Sequence, residues 1–393
     1  MKIAKFLPAA ILSLLLLSAC GADTTTFGTV NGETIPVGVY INFQYMAYNT
    51  AVSKIAEKEA AEAEAAVTAA VTLPTPGAVT TAASLPFLQE TVDGIPVRDY
   101  ITDEAIEDVR EYVAINKKFA ELGLSYRDDE DLMVKNYIDQ NWDAFSETLG
   151  KLGISKTSYE DVMLSSLKRQ EVFMYYYGPG GEKAVPDDVI KNKLLEDNAR
   201  INYIPMVLKD GEGNLLKSEG KAEQMKMAED FVARAEAGED FNSLLAEYHD
   251  YFAGLEAAAD DGTVDVNLGE ESDEPDPAAE TPPLTYETII TKDSTTPTAD
   301  VVTKVFAEQA ANPGVTSYFI VEDAGGEYYY VVKVSDLFSD PTYLDANREA
   351  IISELYSEEF DETVKAWAAE MLVVLNEKSI ARYKIEKFEE LNA

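Results

Sequence analysis

The run Asn198-Ala-Arg-Ile-Asn-Tyr-Ile-Pro-Met-Val-Leu208 constrains the fold more than any other stretch of this chain. From Ile201 onward its apolar residues are nearly continuous and lack a 3.6-residue spacing, and Lys209-Asp-Gly-Glu-Gly213 then supplies a turn. A short run of that kind, closed by turn residues, reads as a buried strand. Pro205 has no N–H, so the strand either lies at a sheet edge or turns that position toward a side without a hydrogen-bonding neighbour. With a single cysteine the chain has no internal disulfide, so apolar burial must hold it together; 46% apolar residues suffice, and the length predicts two domains.

The N-terminus has a different character. Lys2 and Lys5 precede the apolar run Phe6 to Leu17, which ends in Leu17-Ser-Ala-Cys20: a charged region, a short apolar region and a small-residue cleavage site, as in an export signal over residues 1–19. The run is too short and wrongly flanked for a transmembrane span. Its ending resembles the lipobox of bacterial lipoproteins. That resemblance implies that Cys20 carries the lipid, becomes the first mature residue and anchors an extracytoplasmic protein to the bacterial cell membrane. Loss of the leader removes two lysines and no acid, so the formal charge of -40 becomes -42. Such a field repels nucleic acid and anionic headgroups, and it favours basic or unfolded cationic clients.

Residues 20–28 read as a tether. Asn31-Gly32 is a tight-turn signal between two extended pieces, and a helix is expected after Pro36, with Val39, Phe43 and Met46 on one face, running toward Ala70. The proline- and threonine-containing segment 71–97 reads as a loop insertion. A helix capped by Thr102 follows, with Ile106, Val109, Val113 and Phe119 on one side, then helices near 128–150 and 157–176, and one opened by Pro186-Asp-Asp-Val189. Past the central strand, helices are expected at Glu219 to Ala237 and from Asp240-Phe241 through Tyr248, with 253–300 an acidic, Pro-rich loop. A helix Val301 to Ala310, strands Ser317 to Val321 and Tyr328 to Val334, and a long amphipathic helix complete the chain; that helix carries the stripe Ile351, Leu355, Phe360, Val364, Trp367, Met371 and Val374.

This order, with the motifs Val30-Asn-Gly-Glu33, Val185-Pro-Asp-Asp188, Ala237-Gly-Glu-Asp-Phe-Asn-Ser-Leu-Leu-Ala-Glu-Tyr248 and Asn312-Pro-Gly-Val-Thr-Ser317, resembles bacterial extracytoplasmic foldases of the PrsA/SurA type. The resemblance implies an α+β protein: a mainly helical chaperone domain over 29–197, completed by a C-terminal helix in 341–393, with a small parvulin-like α/β domain inserted over 198–340. It also implies a departure. The two histidines of active parvulins align with Tyr203 and Tyr330, and the family's Gly-rich segment after the second helix is replaced by the acidic insertion, whose Asn267-Leu-Gly269 is too little to align with it.

Other chemistry is limited by count. His249 is the only histidine, so a His-based zinc site, a Ser-His-Asp triad and a Cys-His pair are not expected. Ser165-Ser-Leu-Lys168 fits Ser-x-x-Lys but lacks the partner motifs and lies on a periodic helix, and the acidic run Asp260 to Asp276 lacks the alternation of a calcium loop. No metal or cofactor is therefore expected. Tyrosines 175–177 and 328–330 offer aromatic surface to extended peptides, and Met206, Phe241 and Phe319 are further candidates for peptide contact. Three functions remain: a membrane-anchored chaperone for unfolded clients with an impaired parvulin-like domain, an active prolyl isomerase with tyrosines in place of histidines, or a cell-surface interaction protein with one fixed partner.

Overall fold

The computed structural model describes residues 25–71, 86–126, 128–210, 213–259 and 286–392. It is mostly helical with small antiparallel sheets, an α+β protein. The chain opens with β1 (Thr26–Val30), β2 (Glu33–Pro36), α1 (Val37–Val71), β3 (Thr91–Val92), β4 (Ile95–Pro96), α2 (Val97–Glu121), α3 (Asp128–Leu152) and α4 (Lys156–Tyr177). It continues with α5 (Asp187–Asp197), β5 (Asn198–Val207), α6 (Ser218–Glu236), α7 (Phe241–Ala259), β6 (Thr288–Thr291), α8 (Ala299–Ala311), β7 (Ser317–Glu322) and β8 (Tyr328–Ser335). It ends with α9 (Tyr343–Ala369), β9 (Val373–Leu375), α10 (Glu377–Ile380) and α11 (Glu386–Asn392). Among the described residues no helix is long and apolar enough to cross a membrane.

Two compact units emerge from the contacts: the residues up to Ala184 together with those from Tyr356, and Val185–Leu355. The first is helical around a three-stranded sheet of order β2-β1-β9. Asn31 and Gly32 both have positive φ (51° and 84°), the requirement of the tight turn that their sequence announces between β1 and β2. Phe27, Val30, Tyr40, Ile101, Val109, Leu152 and Ile154 form its core with Met371, Ile385 and Phe388 from the chain's end. Ser155 caps α4, its hydroxyl accepting from Ser158 N–H at 3.1 Å.

The second unit is a four-stranded antiparallel sheet of order β6-β5-β8-β7. Ile204, Met206, Leu208, Tyr329 and Val331 pack with α6 and α7 residues Phe231, Leu244 and Leu245, whereas Ile201, Tyr203, Tyr330, Val332 and Val334 pack with Val301, Val302 and Val305 of α8. Alternating side chains therefore meet helices on both faces, which is why β5 reads as an unbroken apolar run. This unit also takes in α5 and the first half of α9; Gln309 Nε2 donates to the carbonyl of Asn198 at 2.8 Å, and Arg348 reaches Asp187 at 2.6 Å.

Several expectations need correction. The stretch read as a tether already enters β1 at Thr26, because that strand has a partner on each side. Residues 86–97 of the expected insertion are ordered: the β3–β4 hairpin leads straight into α2, which starts at Val97, five residues before Thr102, whose hydroxyl donates to Arg98 O at 2.8 Å instead of capping. Helix α7 extends to Ala259, past Tyr248. Thr288–Thr291, inside the expected 253–300 loop, forms β6 against Asn198–Ile201. The last helix stops at Ala369, and Val374 lies in β9 beside β1; Val374 and Leu355 are exposed, outside the buried stripe of Ile351, Phe360, Val364 and Met371.

Candidate functional site

The tyrosines converge on the α8 face of the four-stranded sheet. Tyr203 pairs with Val332 and Pro205 with Tyr330, which makes Tyr203 and Tyr330 diagonal neighbours across β5 and β8. Their rings meet edge to face at 5.9 Å between centroids. Tyr286, in the segment entering β6, stacks on Tyr203 at 5.0 Å, and Tyr328, two residues before Tyr330 on β8, lies 5.7 Å from it. Phe319 of β7 flanks the group on the same face, with the Lys304 ammonium over its ring at 5.7 Å.

Tyr203 and Tyr330 are only 8% and 7% exposed, packed into the sheet face beneath α8. Burial pushes the Tyr203 phenol up from its ordinary value, with Tyr286 adding to the effect. Burial likewise pushes Tyr330 up to about 12, helped by Tyr328, Asp323 and Tyr203. Both phenols are neutral at physiological pH and offer hydrogen bonds and aromatic surface, without a group that exchanges protons near neutrality. Among the described residues no cluster of three or more metal-ligating side chains is present.

The edge of β5 beside this group is closed to an added strand. Leu208 N–H reaches Glu327 O at 2.7 Å, so even-numbered residues turn toward β8 and Tyr203, Pro205 and Val207 turn to the other side, where β6 has already ended. There Tyr203 N–H goes to Asn202 Oδ1 at 2.9 Å, Val207 N–H goes to the Tyr248 hydroxyl at 2.6 Å, and Pro205 has no donor. Pro205 thus sits on a side without a neighbouring strand, in an interior strand of the sheet.

Three solved structures are similar to parts of this chain. PrsA from Bacillus subtilis is 16% identical, over 74% of this chain and 88% of that one, with a TM-score of 0.24. The foldase protein PrsA from Streptococcus pneumoniae str. Canada MDR_19A is 13% identical, over 77% and 97%, with a TM-score of 0.26. The foldase protein (PrsA) from Lactococcus lactis is 12% identical, over 76% and 90%, with a TM-score of 0.24. No family model matches the chain, and no curated protein matches it. Likenesses at these TM-scores assign neither fold nor activity.

The other sequence candidates disperse. Met206 and Phe241 are buried on the opposite face of the sheet, with Leu208 and Phe231, because Met206 is an even-numbered residue of β5 and Phe241 opens α7. His249 is exposed on α7. Tyr177 is core, stacked on Phe173 at 5.0 Å, while Tyr175 is exposed and Tyr176 lies 6.1 Å from Trp367. Ser165 is buried on α4, and Lys168 Nζ donates to Asn116 Oδ1 at 2.5 Å. Cys20, the Asp260 to Asp276 run and Asn267-Leu-Gly269 lie outside the described residues.

Two features escaped the sequence reading. Tyr286 belongs to the cluster although it lies in a segment of loop-like composition, and only the β6 pairing brings it there. On the helical unit, Met133, Tyr137 and Phe145 of α3 are 73%, 62% and 56% exposed. With Asn141 they follow a spacing of four, a ridge of large apolar side chains along one helix, whose exposed acids Asp139, Asp143 and Glu147 fall on another face, Asp139 paired with Lys156 at 2.6 Å and Glu147 with Lys151 at 2.7 Å. That spacing was legible; what burial it would find was not.

Proposed function

We propose that this protein is a membrane-anchored, extracytoplasmic chaperone for unfolded secreted or envelope polypeptides, with a parvulin-like domain that has lost isomerase chemistry. The observation that carries the reading is the ridge on α3: Met133, Tyr137 and Phe145 stay exposed, a surface suited to extended apolar segments, on a chain whose formal charge of -40 favours cationic ones. The tyrosine group supports the second half. An X-Pro bond isomerises over a barrier of roughly 18–20 kcal/mol, and catalysis needs a shaped cleft with preorganised polar groups around the twisted amide. Tyr203 and Tyr330, at the positions that resemble the family's histidines, support this reading by being buried against each other, which leaves little room for a proline ring between them.

The test combines two readouts on one preparation. The full chain is expected to suppress aggregation of a chemically denatured client at near-stoichiometric ratio, and the double variant Met133→Glu/Phe145→Glu to lose most of that effect while keeping its circular dichroism. Its kcat/KM on X-Pro peptides is expected to be at least about 100-fold below that of an active parvulin, the order of effect of losing preorganised polar groups. Turnover comparable to the control favours the active isomerase, and unchanged suppression by the variant removes the ridge from the mechanism.

Cys20 is the proposed attachment point, on the strength of the Leu-Ser-Ala-Cys ending alone. Wild-type protein is expected to incorporate labelled fatty acid and to sediment with membranes, and Cys20→Ser to do neither, since two acyl chains bind far more firmly than one. A serine variant that still sediments as the wild type does would count against the anchor.

A further inference from the structure

A cavity of about 220 Å³ opens in the helical unit between α1, α2 and α4, lined by Phe43, Asp108, Glu111, Tyr112, Val162 and Arg169, with Ile115, Ser165 and Ser166 completing its wall. It is smaller than the roughly 300–1,000 Å³ of sites for drug-sized ligands, and it suits one side chain. Its walls are of two kinds. Phe43, Ile115 and Val162 are apolar, and Phe43 meets Tyr112 edge to face at 6.1 Å. The polar side carries two carboxylates and one guanidinium whose pairings differ.

Arg169 is shared between two other carboxylates: Nη1 donates to Glu111 at 3.1 Å, Nη2 donates to Asp361 at 2.6 Å, and the guanidinium lies over Phe360 at 5.6 Å. Asp108 has no hydrogen bond or ion pair among the described residues. Glu104, Glu107 and Glu111 of its own helix and Arg169 of α4 are the charges that act on it, and α1 contributes Phe43. The balance is negative. Burial, then Glu111 and Glu104, pushes the Asp108 carboxyl up to about 7. Burial also raises Glu111, with Arg169 opposing.

We propose that this cavity is a subsite for one arginine side chain of a bound polypeptide, whose guanidinium pairs with Asp108 while its methylene stem lies along Phe43, Ile115 and Val162. The proposal deepens the polypeptide-binding reading above and rests on it. Arginine fits better than lysine because its planar donors serve a carboxylate and the flanking hydroxyls of Ser165 and Ser166 together, and its face stacks on aromatic rings. A guanidinium in contact stabilises the ionised carboxylate, so binding strengthens as pH rises through the range where Asp108 loses its proton.

The test uses the full chain and two short peptides of alternating phenylalanine and alanine, one with a central arginine and one with citrulline, its neutral isostere. The arginine peptide is expected to bind at least about tenfold more tightly at pH 8, the scale of one charge-assisted hydrogen bond, and the preference to shrink at pH 5.5. Asp108→Asn is expected to abolish both the preference and its pH dependence while leaving citrulline-peptide affinity unchanged. Because Glu111 titrates upward too, the assigned titration is the one that disappears in this variant. Equal affinity for the two peptides, or a preference that survives Asp108→Asn, overturns the subsite; aggregation suppression retained by that variant then shows the chaperone reading standing without it. Failure of both peptides to bind, with no aggregation suppression, overturns the subsite and the chaperone reading together.

Discussion

Gly28→Ala is expected to destabilise the helical unit by about 3 kcal/mol or more, one of the largest effects of any single substitution in this chain. Gly28 lies on β1 with φ at +145°, in a region that other residues rarely enter. A Cβ built there would collide with Val374 O of β9, and backbone cannot swing aside as a flexible side chain can. The β1–β9 pairing at Gly28, Thr29 and Val30 must then open, and with it the bonds from Asn31 N–H to Leu372 O at 2.8 Å and from Asn376 N–H to Phe27 O at 2.7 Å. Two such bonds contribute about 1 kcal/mol each, and backbone strain adds about 1–3 kcal/mol. Both tryptophans, Trp142 and Trp367, belong to the helical unit, so tryptophan fluorescence during urea unfolding follows that unit alone. A midpoint shift worth less than about 1 kcal/mol would show that β9 is dispensable.

Truncation after Ala369 is expected to be more severe. It removes β9, α10 and α11, and with them Met371, Ile385 and Phe388, which are buried in the same core as Phe27, Tyr40 and Ile101. Burying each such side chain contributes about 1.5–3 kcal/mol, so the loss approaches the roughly 5–15 kcal/mol that holds a typical domain folded. Phe388 also leaves Tyr45 and Tyr48 without the ring that now lies 5.5 Å from each of them. Near-ultraviolet circular dichroism and tryptophan fluorescence of the truncated chain are expected to lose their native signature at 25 °C. The unit Val185–Leu355 keeps every residue, and its unfolding transition, followed by hydrogen exchange along β5 and β8, is expected to stay in place. A truncated chain with native tryptophan signals would mean that the helical core closes without its C-terminal segment.

Where local chemistry decided the outcome, the sequence was legible. Asn31-Gly32 marks a turn that needs two positive φ values, Pro36 precedes a helix start, and Ser317 to Val321 and Tyr328 to Val334 read as strands because β-branched and aromatic residues cluster between turn residues. The tyrosine pair was found only because a resemblance set Tyr203 and Tyr330 side by side; neither spacing nor composition relates residues on separate strands. Asp108 left a signal that went unread: it interrupts the inward stripe of Ile101, Ala105, Tyr112 and Ile115 on α2 with an acid.

By itself, then, the sequence determined the elements whose cause lies within a few residues: the hairpin at Asn31, helices α4 to α6 and α8, and the strands β5, β7 and β8. Only the tertiary structure decided which distant segments complete them. Val373–Leu375 is a strand because β1 presents an edge some 340 residues earlier in the chain, Thr288–Thr291 is a strand because Asn198–Ile201 has a free side, and Met206 faces away from Tyr203 because helices cover both faces of the sheet. The physical reason is the same in each case. Propensity and turn chemistry act over one or two turns of chain, whereas strand pairing and burial depend on a partner surface that no local window contains.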